Sequence, residues 1–453
     1  MNRIYRVFFV VLCLALLLAT SAWAQVKKSQ YKGWSSLALD NGIIEVQVVP
    51  EIGGRVIQLR LGDFEYLWVN EDLAGKPPTP TRLTADGGWL NYGGDKVWPA
   101  PQGWDSEETW PGPPDAVLDG GPYAAKVVGV QRQEDAVQLV SEKDMRSGIQ
   151  FSRVIRLHQG AARVSFDTTM TNVDTKPRRW GIWQVTQLNA ANRQGEGYNK
   201  EMRCYSPIHP KSVFRKGYAE MFGLVNNPSF SADAKTKMAV AHYQRLVGKM
   251  GVDNAAGWIA AVDGTSGYVF VERFRTFPGR KYPDDTSVTF WMSGVGQYVA
   301  GTKIVDSKDD PKETPYLVES EVVSPYAELK PGESYSFHNE WMVARIGGNF
   351  PVLDCTPAGV VCEPLVAKVS GGKVAFSGRF GFFQPGRVSL VLADAKGAEC
   401  GRILVEGRVS PEEPLVLKVE EPLPAGAVSV RLMVESEALG KTAVTLAKAS
   451  IAK

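Results

Sequence analysis

Glu319 and Glu321 stand two residues apart in Leu317-Val318-Glu319-Ser320-Glu321-Val322, a run that reads as a β-strand. Side chains at i and i+2 share a strand face, so the two carboxyl-bearing carbons fall roughly 6.6 Å apart and one site can use both. Paired carboxylates are what general acid and base catalysis at a sugar requires. Two glutamates on the wet face of a half-buried strand are the commoner arrangement. A second chemical feature fills residues 86–123, where Trp89, Trp98, Trp104 and Trp110 are set among Gly87-Gly88, Gly93-Gly94, Pro99, Pro101, Pro111, Pro113 and Pro114. Glycine permits tight backbone paths and proline fixes them, so this is a long loop of defined shape, and such loops serve as binding surfaces. Indole faces stack on the C–H faces of pyranose rings, while Asn91, Asp95, Lys96 and Gln102 offer partners for hydroxyls. The competing role for these tryptophans is to cap an open end of a sandwich. A third feature is Trp180-Gly181-Ile182-Trp183-Gln184-Val185-Thr186-Gln187, in which Gln184 and Gln187 beside indoles can line a pocket or form the polar face of a strand.

Other chemistry is not signalled. His158, His209, His242 and His338 are widely separated and lack metal-ligand spacing. Gly294 and Gly296 do not continue into a dinucleotide fingerprint, and there is no phosphate loop or nucleophile elbow, so no metal and no cofactor are expected.

The elements that position these residues read as strands. Alternation is strict in residues 44–48 and nearly so in 164–170, and strand-like runs recur at 127–130, 151–157, 258–262, 268–271 and 288–292, many separated by Gly- and Pro-rich turns. The one segment with helical composition is 232–246. Many strands without amphipathic helices predict an all-β chain built of antiparallel sandwiches. Glycine, proline and two cysteines cluster at 347–364, and the last of the twelve tryptophans is Trp341. The short strands beyond predict a small immunoglobulin-like β-sandwich over 349–453, after a large first domain over 25–348. Residues 1–24 have a basic start, an apolar middle and a small-residue exit at Ala22 and Ala24, which predicts a signal peptide cleaved after Ala24 and a periplasmic or secreted protein with no membrane anchor. Loss of Arg3 and Arg6 with that segment leaves 49 bases against 49 acids, a balance that gives no electrostatic reason for a nucleic-acid partner. Cys355 and Cys362 bracket a short loop that suits a disulfide in an oxidising compartment, with Cys204 and Cys400 unassigned.

The stretches from Asn41-Gly42 through Pro50-Glu51-Ile52-Gly53-Gly54-Arg55-Val56, from Thr171-Asn172 into 180–187, and from Glu319 to Leu329-Lys330-Pro331-Gly332-Glu333 and Trp341 resemble the galactose mutarotase-like superfamily. Tyr92-Gly93-Gly94-Asp95-Lys96-Val97-Trp98-Pro99-Ala100-Pro101-Gln102 is similar to a stretch in an uncharacterised bacterial branch of it, a domain of unknown function. The resemblance, over about 35–345, implies a large antiparallel supersandwich that binds a carbohydrate on its concave face. Mutarotases of that superfamily use a histidine acid and a glutamate base. Carried over, Glu319 takes the base position with Glu321 as alternative. The histidines do not carry over, because Trp183-Gln184 and Tyr92 with Asp95-Lys96 stand there instead. The expected site is therefore Arg55, Asn91, Asp95, Lys96, Trp98, Gln102, Trp183, Gln184, Gln187 and Glu319, joined by Lys249 and Tyr282. Three functions follow as expectations: an exported carbohydrate-binding protein, an enzyme acting on a sugar or sugar acid with Glu319 or Glu321 as base and Lys96 as acid or clamp, or a non-catalytic module of the cell envelope.

Overall fold

The computed structural model describes residues 25–76, 89–104, 106–130, 133–300, 303–405 and 407–452. The expected signal peptide and Gly87-Gly88 lie outside the described residues. Within them the chain is β-strand joined by turns, with only three-residue 3-10 segments such as Glu71–Leu73.

The first domain is two large antiparallel sheets, packed face to face, and a smaller one. A ten-stranded sheet runs from Phe230–Asp233 at one edge, through Trp258–Asp263, Tyr268–Phe274, Ser334–Arg345, Arg163–Asn172 and Ile149–Leu157, to Ala124–Val130 at the other. A seven-stranded sheet has the order Ala219–Gly223, Gly248–Val252, Val288–Met292, Leu317–Val323, Arg178–Asn189, with Asp95–Ala100 on the far side of Arg178–Asn189. A five-stranded sheet of the first strands, Gln25–Tyr31 to Phe64–Glu65, completes the core. Phe166, Phe270 and Trp341 from the ten-stranded sheet meet Ile182, Phe290 and Val318 from the seven-stranded one in a single apolar cluster. Alternation explains it: these are the inward positions of strands whose intervening residues point away.

Residues 232–246 are not a helix. Phe230–Asp233 and Met238–His242 form a hairpin on the ten-stranded sheet. Ala239 and Ala241 pack into the main core while Met238 packs into a second apolar cluster on the other face. A strand buried on both sides has no polar alternation to display, which left composition as the only cue.

The last part of the chain is a β-sandwich of eight strands, including Gly359–Ser370, Lys373–Phe382, Arg387–Ala393 and Ser429–Glu435, with its own core of Phe376, Phe380, Leu390 and Leu432. It docks on the outer face of the ten-stranded sheet, where Val352, Cys355, Val360, Cys362 and Phe383 pack against Trp258, Val271 and Met342. Cys355 and Cys362 are free and buried. The hairpin sets Cys355 opposite Val360 rather than opposite Cys362, so the bridge expected from their spacing does not form. Cys204 and Cys400 are also free.

Candidate functional site

The seven-stranded sheet presents its chemistry in register. Lys96, Val185, Glu321 and Thr289 lie side by side across four strands, and Gln187, Glu319, Trp291 and Lys249 form the next row. All sit on the face turned away from the ten-stranded sheet. The chain reaches that register through Gly93 and Gly94, at φ +93° and +71°. A Cβ on Gly93 would come within 2.2 Å of the Trp68 carbonyl oxygen, and one on Gly94 within 2.3 Å of that of Val56. Only glycine fits this turn, and the turn sets Lys96 on the outer face.

Lys96 Nζ lies 3.3 Å from Glu319 Oε1, which also accepts from Gln187 Nε2 at 2.7 Å. Glu321 Oε2 accepts from Lys249 Nζ at 2.9 Å, from Trp183 Nε1 at 2.7 Å and from the Thr289 hydroxyl. Lys96 stands over the Trp89 and Trp98 rings at 4.7 and 4.8 Å, and Lys249 over Trp183 at 4.4 Å. Asp119 fixes two of these indoles, accepting from Trp89 Nε1 at 2.8 Å and Trp98 Nε1 at 3.2 Å. Exposure is 1 % for Lys96, 7 % for Glu319 and 0 % for Glu321. Burial holds the Lys96 ammonium below the usual lysine range, against the pull of Glu319. Burial also pushes the Glu321 carboxyl up, opposed by Lys249 and reinforced by Glu319. Glu321 Oε1 and Gln187 Oε1 are buried with no partner among the described residues.

Two cavities open on this face. One of about 580 Å³ is bordered by Trp68, Trp89, Asn91, Trp291, Tyr298 and Leu317. The other, of about 200 Å³, is bordered by Gln102, Trp183, Phe222, Lys249, Asp284 and Val323.

The structure thus brings Lys96, Trp98, Trp183, Gln187, Lys249, Glu319 and Glu321 together, with Asn91 at the large cavity and Gln102 at the small one. It separates others. Asp95 and Gln184 point inward between the sheets, where Arg153 pairs with Asp95 and Gln184 Nε2 donates to Asp95 Oδ2 at 2.7 Å. Arg55 is a buried strut, donating to the carbonyls of Ile52, Gly93 and Asp119. Tyr282 borders a different cavity with His209 and Arg280, its hydroxyl accepting from the Phe277 amide at 3.0 Å. The alternation rule already excludes Asp95 and Gln184 as facemates of Lys96 and Trp183, their immediate neighbours. Sequence reasoning missed Trp291, Thr289 and Asp284. Trp291 was findable as the outward indole of the strand read at 288–292, whereas nothing in the sequence ties Asp284 to Lys249.

None of the four histidines joins this cluster. His158 bonds Ser165 and Arg163, His242 bonds the Lys200 carbonyl, and His338 faces Asp167 and Glu340. His209 borders the Tyr282 cavity. The titratable groups of the cluster are therefore glutamate and lysine.

Residues 35–344 match the family described as a domain of unknown function, DUF4380. Among solved structures, the chain is similar to a TPR-domain containing protein from Parabacteroides distasonis at 14% identity and TM-score 0.42, over 70% of this chain but only 48% of that one. It is similar to a galactose mutarotase-like protein from Clostridium acetobutylicum at 12% identity and TM-score 0.43, covering 71% of this chain and 99% of that one. A galactose mutarotase-like protein from Lactobacillus casei matches at 11% identity and TM-score 0.41, covering 68% and 99%.

Proposed function

Since this chain belongs to the DUF4380 family across residues 35–344, a family whose description assigns no activity, we propose its function from the site itself: the outer face of the seven-stranded sheet binds a carbohydrate. The observation that carries this reading is the set of indoles that border the two cavities, Trp89 and Trp291 at the larger and Trp183 at the smaller, beside the Lys96–Glu319 and Lys249–Glu321 pairs. Indoles supply the flat apolar surface that a pyranose ring covers with its C–H bonds. Asn91 at the larger cavity and Lys249 at the smaller add polar partners for hydroxyls. The segment 1–24, read as a signal peptide, fits a role outside the cytoplasm.

The test is a thermal-shift and calorimetric screen of residues 25–453 against neutral, amino and acidic sugars, since a ligand of the folded state raises its melting temperature. Trp89→Ala and Trp291→Ala each weaken binding by about 1 kcal/mol, roughly fivefold, with little change in unliganded stability. A screen with no shift for any sugar refutes the reading.

A second reading, acid–base catalysis on that sugar, is favoured by the Lys96 ammonium held low and the Glu321 carboxyl held high, both by burial. In that case Glu319→Gln removes the base and abolishes turnover while sugar affinity stays within a fewfold of wild type.

A further inference from the structure

The outer face extends past the lysine–glutamate pairs in both directions along one strand. Leu317 borders the larger cavity, Val323 borders the smaller one, and Glu319 and Glu321 stand between them on the same face. Six residues of strand separate those ends by roughly 20 Å. The neighbouring strand repeats the pattern, with Trp291 at the larger cavity and Thr289 at the smaller. The cavities thus adjoin at Trp291 and Thr289, while their far ends at Leu317 and Val323 lie farther apart than a single pyranose can span. The smaller cavity, about 200 Å³, also falls below the roughly 300 Å³ at which small-molecule pockets begin, so it suits part of a ligand whose remainder lies elsewhere.

Charge narrows the class of ligand. Lys96 and Lys249 are already matched by Glu319 and Glu321. Glu71 at the larger cavity is paired with Lys32, and among the described residues that border the two cavities Asp72, Glu313 and Asp284 remain against one further cation, Lys312. Such a surface repels uronates and sulfated chains. Asp284 is held at the smaller cavity by a backbone with φ +53° at Asp284 and +55° at Asp285, a region side chains adopt sparingly.

We propose that the ligand is an oligosaccharide free of acidic groups, lying along the Leu317–Val323 strand, with its main part in the larger cavity and an end unit in the smaller one, where Asp284 selects it. This rests on the carbohydrate reading above. The probes are gluco-, manno- and N-acetylchito-oligosaccharides of graded length, each against its monosaccharide, with oligogalacturonates as the acidic series. Calorimetry on residues 25–453 is expected to show affinity rising about tenfold or more from monomer to the length that reaches both cavities, then levelling. Asp284→Asn, which keeps the backbone preference, and Phe222→Ala each reduce oligomer affinity about tenfold, the loss of one good contact, and leave the monosaccharide unchanged. Equal affinity for monomer and oligomer, indifference to both substitutions, or tighter binding of the oligogalacturonates overturns the proposal while sparing the sugar site. Silence from every sugar instead removes the carbohydrate reading beneath it.

Discussion

Glu272 has no solvent to hold a charge for it. It lies between the two sheets at 0 % exposure, its Oε1 accepting from Asn339 Nδ2 at 2.8 Å and its Oε2 unpartnered among the described residues. Burial pushes its carboxyl well above the usual range, so the folded state keeps a proton that the unfolded state has released. Stability therefore falls as pH rises above the unfolded value near 4.5, until the folded carboxyl itself ionises. Glu272→Gln, which keeps an acceptor for Asn339, is expected to be more stable than wild type at pH 8. The gap closes as pH approaches 4.5, and chemical denaturation at several pH values reads it directly. The neighbouring Arg153–Asp95 pair behaves oppositely, because both side chains are fully buried and ionic. Asp95→Asn leaves Arg153 uncompensated and costs about 3 kcal/mol, with sugar affinity unchanged. An affinity loss matching the stability loss would return Asp95 to the binding face, where the sequence had placed it. That error is instructive at this scale. Lys96, Trp183, Gln187 and Glu319 were legible because residue type and strand parity agree, whereas Asp95 and Gln184 were chosen by type alone against parity.

Among the elements, the strand Asp95–Ala100 contributes both inward and outward chemistry, and two glycines set its register. Gly94→Ala would push a methyl onto the Val56 carbonyl at a positive φ, so it is expected to cost about 2–4 kcal/mol in unfolding experiments. Sugar binding at this face drops with it, since Lys96 and Trp98 move together; Gly94→Ala with native stability would show that the turn can relax. The strands were readable one at a time because period-two alternation is local. Their order was not. Ser334–Arg345 inserts between Tyr268–Phe274 and Arg163–Asn172, the second a pairing across more than a hundred residues that no local pattern encodes. The strand Met238–His242 was hidden for a different reason, being covered on one side by the main core and on the other by the second domain's docking cluster.

At the scale of the whole molecule, the C-terminal sandwich acts as a cover for the ten-stranded sheet, on the side opposite the candidate site. Trp258, Val262, Val271, Met342 and Ala344 lose their apolar partners if residues beyond 348 are removed. Residues 25–348 alone should then melt at lower temperature than the full chain and bind a hydrophobic dye. Any soluble fraction should retain the sugar affinity, because no site residue touches the second domain. The same docking surface buries Cys355 and Cys362, whose thiols are pushed up to about 12 by desolvation. In the intact protein both should resist alkylation at pH 8, while half-exposed Cys400 reacts. Rapid labelling of Cys355 under native conditions, at a rate independent of denaturant, would mean that the two domains separate readily. Slow labelling that accelerates only with global unfolding would mean that they fold and melt as one body, a role for the second domain that requires no ligand of its own.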